Sequence, residues 1–194
     1  MDKKEILNYI FKNRVLILFC AVLVFGTIFG TSMLNFVPEE ISENFYNFIS
    51  KSNNNFSSVF INKFTFPFLM LFGIFLSGTS TLGNILSIFM ILINGVIFGF
   101  ENALNYKFSG TDYIVINMTN FFSGALFFNF IMIIMAENSF FSSKQLCKSI
   151  NSSINEKPHY NAKKQYVKFI TFTFVFAIFS AISSVFCRFI QSVI

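Results

Sequence analysis

The sequence predicts an all-α, polytopic membrane helix bundle of about five transmembrane helices, and three observations predict it. Of the 194 residues, 54% are hydrophobic and only 12% are charged, against about 25% charged in a soluble domain. Phenylalanine supplies 32 residues, tryptophan none, and mean hydropathy is +0.64. Four uncharged runs reach membrane length, and one of them is long enough for two crossings. A water-soluble globule of this size could not hide so much apolar surface. Disorder is excluded too, because disordered chains are poor in aromatics and rich in charge.

The elements follow from those runs in order. Val15 to Val37 is 23 residues without a charge, ended by Pro38-Glu39-Glu40. A signal-peptide core spans only about 7–15 residues, and Gly30-Thr31-Ser32 is a poor cleavage site, so this run is expected to remain as an anchor. Pro38, Glu39 and Glu40 then suit the first turn of a helix. Ile41, Phe45, Phe48 and Ile49 fall on one face of that helix, so 38–61 reads as an external amphipathic segment lying on the membrane or on a partner, or equally as a solvated connector that merely rests on the lipid.

Phe64 to Phe100 is 37 uncharged residues, too long for one crossing. Its middle, Ser77-Gly78-Thr79-Ser80-Thr81-Leu82-Gly83-Asn84, is rich in turn formers. Two helices, 62–78 and 82–100, joined by a tight hairpin, are therefore expected. The remaining spans are 113–136 and 169–187, with a basic loop over 137–168 between them. The whole chain forms a single integral membrane domain.

Charge orients the bundle. Lys3, Lys4, Lys12 and Arg14 precede the first span, and six lysines lie in 137–168. With five spans these segments share a side, so the N-terminus is cytoplasmic and the C-terminus external. Lysines near a membrane surface are drawn to anionic headgroups, which accounts for the pI of about 9.2. No basic groove interleaved with aromatics is present, and nucleic acid is not an expected partner.

Chemistry is conspicuous by what the spans lack. None of the uncharged runs holds an ionisable acid or base, where an enzyme or pump would carry one. Cys20, Cys147 and Cys187 form no CxxC or metal-like spacing, and His159 is the single histidine. No metal, no cofactor and no catalytic activity are expected. The polar residues Asn94, Asn117, Asn120 and Asn129 read as helix-orienting contacts between spans. Gly26 and Gly30 in span one, and Gly95 and Gly99 in span three, have the four-residue spacing of close helix packing. Ala177 with Ala181, and Ser180 with Ser184, repeat it in the last span. Such faces serve contacts within the bundle or with a partner.

The order of these features resembles the stage II sporulation protein M family of endospore-forming bacteria. Lys12-Asn-Arg14 leads into a first span with the Gly26/Gly30 pair, and a tight hairpin lies within Gly73 to Gly83. Asn94-Gly95-Val-Ile-Phe-Gly99-Phe100 and Asn138-Ser-Phe-Phe-Ser142 are similar to the family's third span and to its exit from the fourth. Where relatives often carry a proline followed by His or Gln, this chain reads Asn120-Phe-Phe-Ser-Gly-Ala-Leu-Phe-Phe-Asn129.

The resemblance implies a cell-membrane scaffold at the septum. It would recruit two peptidoglycan-degrading enzymes, stage II sporulation proteins D and P, for wall remodelling during engulfment. Phe45, Phe48 and Ile49 would then be candidate partner contacts. The competing expectation is a membrane subunit of a small-molecule transporter, of ABC or energy-coupled type. In that case the basic loop would dock an ATPase, and the asparagines of spans three and four would line a path.

Overall fold

The structure, a computed structural model, describes residues 13–50, 56–109, 125–151 and 162–191. Among these residues six α-helices and one short 3-10 segment form, and no strand. Helix α1 is Arg14–Met33, continued by the 3-10 segment Leu34–Phe36. Helix α2 is Glu39–Ser50, α3 Phe56–Gly78, α4 Gly83–Ser109, α5 Leu126–Asn151 and α6 Ala162–Gln191. The protein is an all-α membrane helix bundle.

Four stretches are long and apolar enough to cross a bilayer: Arg14–Phe36, Gly83–Phe108, Leu126–Cys147 and Gln165–Val185. The first, at 23 residues, extends about 34 Å at about 1.5 Å per residue. Within the crossing expected at 62–78, α3 carries the apolar stretch Phe64–Gly78.

Contacts between helices establish how they run. Gly26 meets Gly95, and Thr27 meets Gly99, so α1 and α4 lie parallel. Ser77 on α3 meets Ser139 on α5, while Ser87 on α4 meets the same Ser139. Farther from the turn, Asn94 on α4 bonds Asn129 on α5, so those two run antiparallel. Phe75 stacks on Phe169 and Phe64 on Phe176, which sets α3 antiparallel to α6. Successive long helices therefore alternate in direction. Helix α5 touches α1, α3, α4 and α6, and is the most enclosed of the crossings.

The interior is apolar and aromatic. Phe19, Leu71, Ile74, Ile91 and Met132 are fully buried in one cluster. Phe64, Phe68 and Phe72 follow one another at four-residue spacing down α3, and Phe72 and Phe75 meet Phe169 of α6. On the outside, Val24, Phe25, Ile28 and Phe29 of α1 are more than half exposed. Such a belt is unfavourable against water and appropriate against acyl chains.

Two sequence expectations change. The basic segment 137–168 is not loop throughout: 137–151 continue α5 and 162–168 begin α6. The polar residues Asn138 and Ser139 looked like an exit from the membrane. They are instead satisfied against α6 and α3, so the helix has no reason to stop there. The expected crossing 113–136 overlaps α5 from Leu126 onward; its earlier part lies outside the described residues, with Asn117 and Asn120. His159 lies outside them as well.

Candidate functional site

The two ends of the bundle differ in charge. At one end lie Arg14, the α3–α4 turn, Glu137, Lys144, Lys163 and Lys168. At the other lie Glu39, Glu40, Glu43, Glu101 and Lys107.

The basic end is built around the hairpin. Helix α3 ends at Gly78 and α4 begins at Gly83, and both glycines are closely approached, Gly83 by backbone and Gly78 by side chains. A side chain at Gly83 would strike the Ser77 carbonyl, and one at Gly78 would strike the Gln165 amide. Behind the turn, three buried serines converge from three helices. Ser77 Oγ lies 2.8 Å from Ser87 Oγ and 2.7 Å from Ser139 Oγ. Ser139 donates to the Ile74 carbonyl at 2.7 Å, and Ser87 to the Gly83 carbonyl at 2.7 Å. With those two protons placed, Ser77 has one proton to give to either neighbour or to Ile74 O. One helical turn on, Ser143 donates to the Ser80 carbonyl at 2.7 Å, clamping the hairpin onto α5.

Beside this node is a cavity of about 370 Å³ between α3, α5 and α6. Lys168, Gln165, Asn138, Gln145, Ser142 and Ser139 line it, with Ile74, Phe75, Met135 and Phe141 as apolar wall. Lys168 Nζ donates to Asn138 Oδ1 across the α5–α6 junction. Gln165 is buried, and its Nε2 points at the Phe75 carbonyl.

The acidic end carries α2. Its Glu39 pairs with Lys107 of α4 at 3.3 Å, with the two side chains 77% and 36% exposed. A pair so open to water contributes little. Rings hold the helix more firmly: Phe45 meets Phe100 edge-on at 6.3 Å, and Tyr46 stacks on Phe108 at 5.2 Å. Phe45 nevertheless remains 52% exposed, and Ile41 48%. The side chains of Phe48 and Ile49 lie outside the described residues.

The four glycines singled out by spacing come together inside the chain. A Cβ on Gly26 would stand 2.7 Å from the Leu92 carbonyl, and one on Gly95 2.6 Å from the Leu23 carbonyl. Gly30 faces the Val96 backbone and Gly99 the Thr27 backbone. Asn94 and Asn129 also meet, Nδ2 to Oδ1 at 2.6 Å, in the middle of the apolar core. Asn94 thus donates to the Asn129 oxygen where lipid offers no acceptor.

Sequence reasoning missed the serine node and the cavity. Single serines in apolar helices are common, and only the fold joins Ser77, Ser87 and Ser139 across three helices. Ser139 and Ser143 stand four apart on the face that α5 turns to the hairpin. Gln165 and Lys168 stand three apart on the face that α6 turns to α3 and α5. Among the described residues no group of three or more His, Cys, Asp or Glu could hold a metal ion. Cys20 and Cys147 are free thiols. Comparison with family models, with curated proteins and with solved structures gives no match.

Proposed function

We propose that this multi-pass protein is a cell-membrane scaffold for engulfment in endospore formation. In this reading it recruits and localises peptidoglycan-degrading enzymes, stage II sporulation proteins D and P, at the septal membrane. The N-terminus and the basic end face the cytoplasm, and α2 and the C-terminus face the wall. The protein carries out no catalysis itself.

The observation that carries this reading is the way α2 is mounted. An amphipathic helix is held on the end of α4 by two ring contacts, yet leaves Ile41 and Phe45 half exposed. A solvated connector has no need of that mounting, whereas a docking helix does. The core agrees with a static role, since Ser77, Ser139, Asn94 and Asn129 bond one another and backbone rather than an ionised group. The order of sequence features, similar to that of the sporulation family, supplies the identity of the partners.

The test is replacement of Phe45, Phe48 and Ile49 together by Ser. At equal expression, recovery of the wall hydrolases with the tagged protein is expected to fall at least about tenfold, as for loss of a small hot-spot cluster. Unchanged recovery would remove α2 from the partner surface.

One observation favours a second reading, a membrane subunit of a transporter. Helix α5 passes the hairpin at Ser143 and continues to Asn151, carrying Lys144 beyond the turn. A rigid extension of that kind is what an ATPase would need to grip. Co-purification of an ATPase in place of wall enzymes would establish it.

A further inference from the structure

We propose that the cavity at the basic end binds the phosphate headgroup of an anionic phospholipid, with Lys168 as its charge partner. The inference is independent of the scaffold reading.

Lys168 is the starting point. It lies within the crossing Gln165–Val185 and is only partly exposed. Among the described residues no carboxylate reaches it at ion-pair distance, and its hydrogen bond goes to the neutral Asn138. Ammonium groups in a membrane segment pair with an anion or reach for headgroup water. This one is turned into a cavity between helices. One of its three N–H groups is engaged by Asn138, which leaves two for a phosphate oxygen.

The rest of the lining matches an amphiphile. Ser142 and Gln145 add side-chain donors beside Lys168, while Phe75 and Phe141 form an apolar wall, and Phe141 is 46% exposed. A phosphodiester fits the polar side, and its acyl chains leave along the aromatic one. Depth agrees as well. Asn138 and Ser139 stand one helical turn inside the Ser80–Thr81 turn, at the end of the bundle where glycerophosphate groups lie. Arg14 and Lys163 at the same end outnumber Glu137 there and favour anionic lipids over neutral ones. Basic pockets between helices on one face of a membrane protein are a recurrent headgroup site.

The test is a native mass-spectrometric titration of the full chain in mild detergent. Phosphatidylglycerol, phosphatidylcholine and inorganic phosphate are the three probes. Phosphatidylglycerol is expected to bind at least about fivefold more tightly than phosphatidylcholine, and Lys168→Gln to abolish that preference. Lys144→Gln, which removes a charge outside the cavity, is expected to retain it. Equal binding of the two lipids to the wild type would overturn the proposal. So would equal losses in the two lysine variants, since that result means general surface charge. Inorganic phosphate bound as tightly as phosphatidylglycerol would overturn the lipid as occupant. If Lys168→Gln does not fold, Ser142→Trp fills the cavity and keeps the charge. Loss of the preference in that variant supports the site, and its retention overturns it.

Discussion

Gly30 and Gly73 are both helical glycines, yet a side chain would meet different things at each. At Gly30 it runs into the Val96 backbone, which moves only if α1 and α4 separate. At Gly73 it runs into the Met90 methyl, the far end of a flexible chain that can rotate away. Gly30→Ala is therefore expected to destabilise the bundle by about 1–3 kcal/mol, and Gly73→Ala by less than about 1 kcal/mol. Thermal unfolding in one detergent checks the pair, and equal effects would contradict the close approach of α1 and α4. The spacing of Gly26, Gly30, Gly95 and Gly99 was legible in the sequence because small residues have a known use in lipid. Which surface they served was not legible, since the same spacing suits a partner helix. The serine node was legible in neither respect. A hydroxyl in an apolar helix can always bond its own backbone, as Ser184 does to Ser180 O.

At the scale of elements, polar residues explain where reading the sequence succeeded and where it failed. The hairpin at 77–84 announces itself because its turn formers cluster between two apolar runs. The course of α5 is hidden because Glu137, Asn138 and Ser139 resemble a membrane exit. Only the partners of Asn138 and Ser139, Lys168 and the Ile74 carbonyl, reveal a helix that continues. The pairing of α4 with α5 rests partly on Asn94 and Asn129. A double-mutant cycle with Asn94→Ala and Asn129→Ala is expected to yield a coupling of about 0.6–1.7 kcal/mol. Zero coupling would mean that the two amides do not meet in the membrane. For α2 the rings and the ion pair can be separated. Lys107→Ala should leave the protection of α2 amides in hydrogen exchange nearly unchanged, because the pair is exposed. Tyr46→Ala should increase their exchange several-fold by removing the stack on Phe108. The reverse ranking would assign the docking of α2 to charge.

Over the whole molecule, composition and charge already implied a bundle with two unlike ends, and the contacts divide the described charges in the same way. Arg14, Lys144, Lys163 and Lys168 collect at the hairpin with the single carboxylate Glu137, and Glu39, Glu40, Glu43 and Glu101 at the far end with Lys107. In the proposed orientation Cys147, an exposed thiol near the end of α5, faces the cytoplasm. A membrane-impermeant maleimide is expected to label Cys147 in inverted vesicles and not in intact cells. Labelling in intact cells would invert the topology and carry α2 away from the wall. Fold class was readable from composition because the bilayer demands it. Partners were not, because no physical rule links an exposed amphipathic helix to one protein. They therefore rest on the likeness in the order of features, and partner identity is where the account is most directly tested. The decisive measurement is affinity purification of the tagged protein from its native membrane in mild detergent, with mass spectrometry of what accompanies it. The scaffold account requires wall hydrolases in near-stoichiometric yield, lost when Phe45, Phe48 and Ile49 become Ser. An ATPase recovered in their place would contradict it.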